Sequence, residues 1–396
     1  MARIAQDCTL SVCTPGPVPD PRRCRVLPQN PLKLAYNPAL DGLRAVAILL
    51  VILSHAHAPM FDGAFFGVDL FFVLSGYLIT SLLLKEIQAT GRVDFWQFYR
   101  RRFYRLMPPL AVFLAAYALL APLVWPDLED VYSDALVSLL YLADYGIAFF
   151  DSPDTLLHMW SLSVEEHFYL VWPIALLWLA RRSSPGTLWR AIAALFVLGW
   201  AWRVLWVLLG QEFYAVFFRF DTRTTGLLLG SLLAALVLDR HPLLERLQQH
   251  LPRLMWIPLA VPLLMAMEWG DMGPMVWGLT VVEMAALVVL VAVLPGQGLV
   301  YDMLSAPWLV YIGKLSYGIY LWHYPVVRWL RAEFAWPVTL VLGFVISTAL
   351  AALSFYTIER WALRRRDAVP QGSPQTAADA GTVKTTNALE TAPRGR

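Results

Sequence analysis

Long apolar stretches, broken at intervals by charged clusters, run from about residue 39 to residue 358. A helix needs about 20 predominantly apolar residues to cross the hydrocarbon core of a bilayer. On that measure spans fall near residues 39–57, 65–84, 106–125, 160–180, 188–209, 214–238, 254–268, 276–294, 308–330 and 337–358. The pattern predicts an all-α polytopic transmembrane helix bundle of about ten spans, because a helix satisfies its own backbone polar groups in lipid. The stretch 131–150 is also apolar but carries Asp134 and Asp144, and it reads as a re-entrant or interfacial helix beside the bundle.

Composition supports this class. The chain has 396 residues, of which 58% are apolar and only 15% charged; a soluble domain would carry about 25% charged residues. Its 17 tryptophans and 16 tyrosines suit two interfacial belts. The basic residues cluster in alternate connections: Arg22, Arg23, Arg25 and Lys33, then Lys85 to Arg105, then Arg181, Arg182 and Arg190, then Arg240, Arg246 and Arg253, then Arg360 to Arg366. By the positive-inside rule these lie in the cytoplasm. The expectation is a multi-pass plasma-membrane protein with both termini cytoplasmic. Residues 1–37 read as a Pro-rich cytoplasmic tail, 38–362 as the transmembrane domain and 363–396 as a disordered cytoplasmic tail. No apolar run precedes residue 34, so a cleavable signal peptide is not expected. The three cysteines, Cys8, Cys13 and Cys24, all precede the spans, which removes cysteine nucleophiles and thiolate metal sites from the bundle. Neither a bound metal nor a nucleic-acid partner is expected.

Three constellations stand out against the apolar background. Arg44 and His55 lie eleven positions apart in the first span. That is close to three helical turns, about 16 Å of rise, so both share a face. A charge at the centre of a span costs about 2.5–3.5 kcal/mol even on lenient insertion scales, and a neutral histidine is the usual general base near neutral pH. Arg44 also has a structural reading, as the partner of Asp41 three residues before it. His57, two residues past His55, points elsewhere on a helix. The second constellation is Arg100, Arg101, Arg102 and Arg105, beside the third span. Arginine forks suit phosphate, although any cytoplasmic loop is basic and anionic lipid is attracted too. Arg102 and Arg105 share a helical face. The third is the stretch from His158 to Leu170, in which Glu165 and Glu166 enter an apolar span together. One carboxylate suits support of an imidazole, while a water-facing helix start explains acids without chemistry. Smaller features read as packing: Ser75 and Gly76 as a close-approach point in span two, Arg219, Asp221 and Arg223 opening span six, and Ser316, Tyr317, Tyr320 and His323 along span nine.

Together these residues resemble the acyltransferase family 3 membrane proteins over about residues 38–361. The resemblance rests on Leu40-Asp41-Gly42-Leu43-Arg44 with its Arg-x10-His spacing, on Phe71 to Leu78, and on Arg101-Arg102-x-x-Arg105-Leu106-x-Pro108. Ser161-Leu162-Ser163-Val164-Glu165-Glu166 and Ser316-Tyr317-x-x-Tyr320-Leu321-x-His323 complete it. Two departures are His167, where the family usually has Gln, and Trp361 after Glu359-Arg360, where proline is common. The resemblance implies an O-acyltransferase, most simply an O-acetyltransferase, that uses acyl-CoA to modify a carbohydrate or glycosylated acceptor. It implies Arg44 and His55 as a catalytic pair and Arg102 and Arg105 as donor-binding residues; on the reading of the residues themselves, Glu165 and Glu166 join the catalytic set as support for the imidazolium and Arg101 joins the donor site, with direct transfer or an acyl-His relay both open. The alternative is a proton-coupled transporter of a lipid-linked sugar or small metabolite, which would also carry intramembrane Arg, His and Glu. No inverted repeat is visible to support it. A non-catalytic scaffold of the same fold is the third reading.

Overall fold

The computed structural model describes residues 11–12, 25–26, 36–59, 61–184, 186–255, 258 and 270–367. Apart from a two-residue antiparallel pairing of β1 (Ser11–Val12) with β2 (Arg25–Val26), every regular element among them is helical. The helices are α1 (Pro38–His55), α2 (Gly67–Thr90), α3 (Phe95–Val124), α4 (Val131–Leu139), α5 (Ala143–Phe150), α6 (Met159–Arg182), α7 (Leu188–Leu208), α8 (Phe213–Phe217), α9 (Phe220–Arg223), α10 (Thr225–Leu238) and α11 (Pro242–Leu254). After them come α12 (Leu279–Val293), α13 (Leu299–Leu304), α14 (Pro307–Glu333), α15 (Trp336–Ser354) and α16 (Arg360–Asp367).

Six described helical segments are long and apolar enough to cross a membrane, or seven if α10 and α11, bent by 107°, count as one span. The helices α6 and α14 have 24 and 27 residues, about 36 and 40 Å of helix. They are more polar: α6 carries Glu165, Glu166, Arg181 and Arg182, and α14 carries Lys314, Arg328, Arg331 and Glu333. The expected span at 254–268 falls almost wholly outside the described residues, as do the three cysteines. The stretch 131–150 forms two short helices, α4 and α5, of 9 and 8 residues. Neither reaches the length of a span, in line with an interfacial or re-entrant piece.

Three boundaries differ from the sequence expectation. The third span starts at Phe95 rather than near 106. The Asp94 carboxylate caps it by accepting from the Gln97 backbone N–H at 2.9 Å, so the arginine run is helical and rigidly phased. The sixth span is not one helix: α8, α9 and α10 replace it. Residues 363–367, expected in a disordered tail, continue α16, which packs on α3; residues 368–396 lie outside the described residues.

Glycine carbonyl contacts set the closest helix approaches. A Cβ on Gly76 of α2 would lie 1.9 Å from the Leu227 carbonyl oxygen, and one on Gly230 of α10 would lie 1.9 Å from that of Val73. A Cβ on Gly313 of α14 would lie 1.8 Å from the Asp41 carbonyl oxygen. These are the small-residue interfaces that lipid-embedded helices use, where backbone approach replaces the hydrophobic effect. At the other end of the same helix pair, Arg331 of α14 donates to the His55 carbonyl at 3.2 Å. So α1 and α14 run parallel.

Outside the site lies a second charged cluster. Arg223 Nη2 sits 2.9 and 3.0 Å from the two carboxylate oxygens of Asp69. Arg203 Nη1 donates to Thr225 at 2.7 Å, Thr225 donates to Glu283 at 2.5 Å, and Arg203 lies 3.9 Å from Glu283. All four ionisable residues are about 1% exposed or less. They tie α2, α7, α9 and α12 together.

Candidate active site

A cavity of about 270 Å³ opens among α1, α2, α3, α6 and α14. Arg44, Arg102, Arg105 and Glu165 are its charged lining residues, so three guanidiniums face one carboxylate. Phe71, Phe72 and Leu78 of α2 supply apolar wall, and Ser161, Ser316, Tyr317 and Tyr320 supply hydroxyls.

The helical phase of α3 decides which arginines reach it. Arg102 and Arg105, three positions apart, both line the cavity. Arg101 points away: it is exposed and donates to Gln97 Oε1 at 2.6 Å. Of the three arginines expected at a donor site, the structure brings Arg102 and Arg105 together at the cavity and leaves Arg101 outside it. The Arg102 guanidinium sits 3.2 Å above the Tyr169 ring centre and 3.9 Å from Glu166, a cation–π contact backed by a carboxylate. Arg44 donates to Asp41 at 2.7 Å, and Asp41 also accepts from the Tyr36 hydroxyl at 2.9 Å. Arg44 thus pairs with Asp41 and also lines the cavity.

The two carboxylates do not bond to the His55 imidazole. Glu165 Oε1 accepts from Ser75 at 2.9 Å, and the Tyr169 hydroxyl lies 3.1 Å from Glu165 Oε2 and 2.8 Å from Ser75. Glu166 faces Arg102. The expected support of an imidazolium by Glu165 or Glu166 is replaced by an organisation of the arginine end. The reason is spacing: both acids lie a turn or more along α6 from His158, the α6-side residue that reaches the histidines.

His55 sits at the last turn of α1, about 16 Å of helix rise from Arg44, and does not line the cavity. Its Nδ1 is 2.9 Å from the Val51 carbonyl oxygen and 3.4 Å from His323 Nε2. His323 Nδ1 is 2.6 Å from the Tyr320 carbonyl oxygen. The third imidazole, His158, packs edge-on to His323 with ring centres 5.4 Å apart and stacks on Tyr324 at 5.1 Å. His158 is 2% exposed and His323 fully buried. Tyr320 joins cluster and cavity: its hydroxyl is 2.6 Å from Ser161 Oγ and donates to the His158 carbonyl at 2.9 Å. Tyr320 thus lines the cavity on one side and on the other lies beside His158 and His323, with ring centres 5.6 and 5.1 Å apart.

His57 lies past the end of α1, so the helical spacing does not apply to it; its Nε2 sits against Arg331, which also donates to the His55 carbonyl. His167, the departure from Gln, lies 3.1 Å from the buried Asp144 carboxylate of α5, so it anchors the α4–α5 segment to α6. Asp134 is held by Ser152 at 2.9 Å and Thr155 at 3.2 Å. Sequence reasoning left Tyr320 and His323 as packing and gave His158, Tyr169 and Ser75 no chemical role. The available signal was the three-residue spacing of Tyr320 with His323 and of His158 with Ser161, which puts each pair on one helical face. Among the described residues, no group of three or more His, Cys, Asp and Glu side chains has a geometry that would hold a metal ion.

A family model described as an acyltransferase domain, Acyl_transf_3, matches residues 37–358. Among similar proteins, the O-acetyltransferase OatA of Staphylococcus aureus is 30% identical over 332 residues, covering 80% of this chain and 55% of its own length. The peptidoglycan O-acetyltransferase OatA of Listeria monocytogenes is 32% identical over 312 residues, covering 74% and 49%. The putative peptidoglycan O-acetyltransferase YrhL of Bacillus subtilis is 34% identical over 353 residues, covering 82% and 54%. The chain spans about half the length of these curated relatives. No solved structure matches it.

Proposed function

This chain belongs to acyltransferase family 3, and on that premise we propose that it is an integral membrane O-acetyltransferase. It moves an acetyl group from acetyl-CoA, bound at the arginine end, to a hydroxyl of a carbohydrate acceptor near His55. The observation that carries this reading is the juxtaposition at Tyr320: this residue lines the cavity that holds Arg44, Arg102 and Arg105 and also packs against the His323 ring, which neighbours His55. A multiply phosphorylated donor fits the guanidinium end, because forked arginines pair with phosphate oxygens. The apolar wall of Phe71, Phe72 and Leu78 suits the uncharged arm of such a donor.

The chemistry needs one proton acceptor and no metal. His55 Nε2 takes the proton of the acceptor hydroxyl as that oxygen attacks the thioester carbonyl carbon. The C–O bond forms, the C–S bond breaks, and the same proton passes from His55 to the departing thiolate, giving free CoA thiol and the ester. In the relay variant His55 first accepts the acetyl group, and a second transfer carries it to the hydroxyl. The basic clusters support a cytoplasmic donor end and cytoplasmic termini. This orientation puts the acceptor at the outer face. The relatives' names make a peptidoglycan glycan the first acceptor to try. The transporter alternative has no counterpart among those relatives.

The test is transfer of labelled acetyl from acetyl-CoA to peptidoglycan fragments by membranes that contain the protein. Label appearing in an alkali-labile ester on the glycan, at a rate set by expression level, supports the reading. Label exchange of a solute across the membrane without ester formation would instead make it a carrier.

A further inference from the structure

Hydrogen-bond direction in the imidazole cluster decides what His323 does. A carbonyl oxygen only accepts, so His323 Nδ1, at 2.6 Å from the Tyr320 carbonyl, carries the proton. In a neutral ring its Nε2 is then a bare lone pair. That lone pair faces His55 Nδ1 at 3.4 Å. His55 Nδ1 is also held by the Val51 carbonyl at 2.9 Å, so it too carries the proton and shares it between two acceptors. Each ring is thereby set in one tautomer, and His55 Nε2 is left as the free base nitrogen. Packing holds the rings in place: His323 is fully buried, and His55 meets the edge of Tyr324 with ring centres 4.9 Å apart.

The groups facing this pair are His158 from the start of α6, Tyr320 and Tyr324 from α14, and Arg331, which donates to the His55 carbonyl and meets His57. None is a carboxylate. Catalytic histidines are commonly oriented by a carboxylate on the second nitrogen. Here that nitrogen is shared between the Val51 carbonyl, at 2.9 Å, and a second imidazole, at 3.4 Å. We infer that His323 is the positioning residue for His55: its Nε2 lone pair orients the imidazole, holds its proton on Nδ1, and steadies the imidazolium that forms when Nε2 takes a proton.

This inference rests on the reading of His55 as the base. It asks for a readout that loss of packing would not give. His323→Gln keeps an acceptor oxygen near the position of Nε2, while His323→Met has nearly the same volume and none. The assay is acetyl transfer to glycan fragments with purified full-length protein, taking kcat and the KM for acetyl-CoA. His323→Met is expected to lose about 10–100-fold in kcat, part of the 10²–10⁴ that a general base supplies. KM for acetyl-CoA should stay within about 3-fold, since His323 does not line the donor cavity, and His323→Gln should recover most of kcat. Equal loss in Gln and Met variants, or a loss carried by KM, would overturn the positioning role. His55→Asn run alongside separates the two claims. If it is inactive while Gln and Met match each other, only the His323 inference fails. If it keeps full activity, the base reading fails and His323 has nothing to position. Wild-type protein gives a check that needs no variant: 15N-histidine spectra should show Nδ1–H and a bare Nε2 for both residues. A proton on His323 Nε2 would overturn the inference.

Discussion

Removing the Asp69 carboxylate while keeping its size, as in Asp69→Asn, should destabilise the bundle. Asp69 and Arg223 are each 1% exposed and lie 2.9–3.0 Å apart. Breaking a buried pair by removing one partner costs about 3–5 kcal/mol, because the other charge is left uncompensated. Part of that is offset here. The Arg223 guanidinium stays over the rings of Phe217 at 4.4 Å, Trp160 at 4.9 Å and Phe72 at 5.9 Å, and a desolvated cation–π contact is worth up to about 2 kcal/mol. The neighbouring Arg203–Glu283 pair stays internally balanced. The net expectation is about 1–3 kcal/mol. Thermal unfolding in detergent, followed by size-exclusion of the remaining monodisperse protein, would read this as a clear fall in the midpoint. The double variant Asp69→Leu with Arg223→Met should recover most of the loss, since an apolar pair of similar volume is often neutral or better. An unchanged midpoint for Asp69→Asn, or a double variant as unstable as the sum of the singles, would refute the reasoning.

Other outcomes follow from the same geometry. Arg102→Ala should raise the KM for acetyl-CoA about 10–100-fold, the value of a charge-assisted hydrogen bond of about 1.5–3 kcal/mol. Arg101→Ala should change it less than about 3-fold, because Arg101 faces Gln97 rather than the cavity; steady-state kinetics in membranes compares the two. Gly76→Ala puts a methyl 1.9 Å from the Leu227 carbonyl oxygen and should cost about 1–3 kcal/mol by overpacking, read as a lower unfolding midpoint. His167→Gln should keep near-normal stability because an amide N–H can replace the imidazole opposite Asp144. His167→Ala should lower stability by stranding that buried carboxylate.

What was legible in the sequence follows the range of the interactions. Arg44 with Asp41, and Arg102 with Arg105, are three residues apart, so helical phase alone pairs them. The arginine end of the site could be read that way. The close α2–α10 approach was signalled from one side, by Gly76 alone. His55 with His323 and Asp69 with Arg223 are 268 and 154 residues apart. No periodicity announces such pairs; they exist because α1 and α14 run parallel and because α9 returns to α2. Glu165 and Glu166 stood in the right stretch but serve the arginine end, since the turn that carries them is nearer Ser75 and Arg102 than His55. Span counting from apolar runs meets its limit for a related reason. The helices α6 and α14, which supply site residues, also carry charges outside the cavity, Arg181 and Arg182 on one and Lys314, Arg328, Arg331 and Glu333 on the other.

The central claim is the proposed transfer of an acyl group from a donor at the arginine end to an acceptor near His55. The most direct measurement is labelled acetyl transfer from acetyl-CoA to glycan acceptor, comparing wild type, His55→Ala and Arg102→Ala at equal membrane expression. The account predicts turnover in wild type, a loss of at least about 100-fold in kcat for His55→Ala, and a loss in Arg102→Ala that saturating acetyl-CoA largely restores. Full activity in His55→Ala would contradict it.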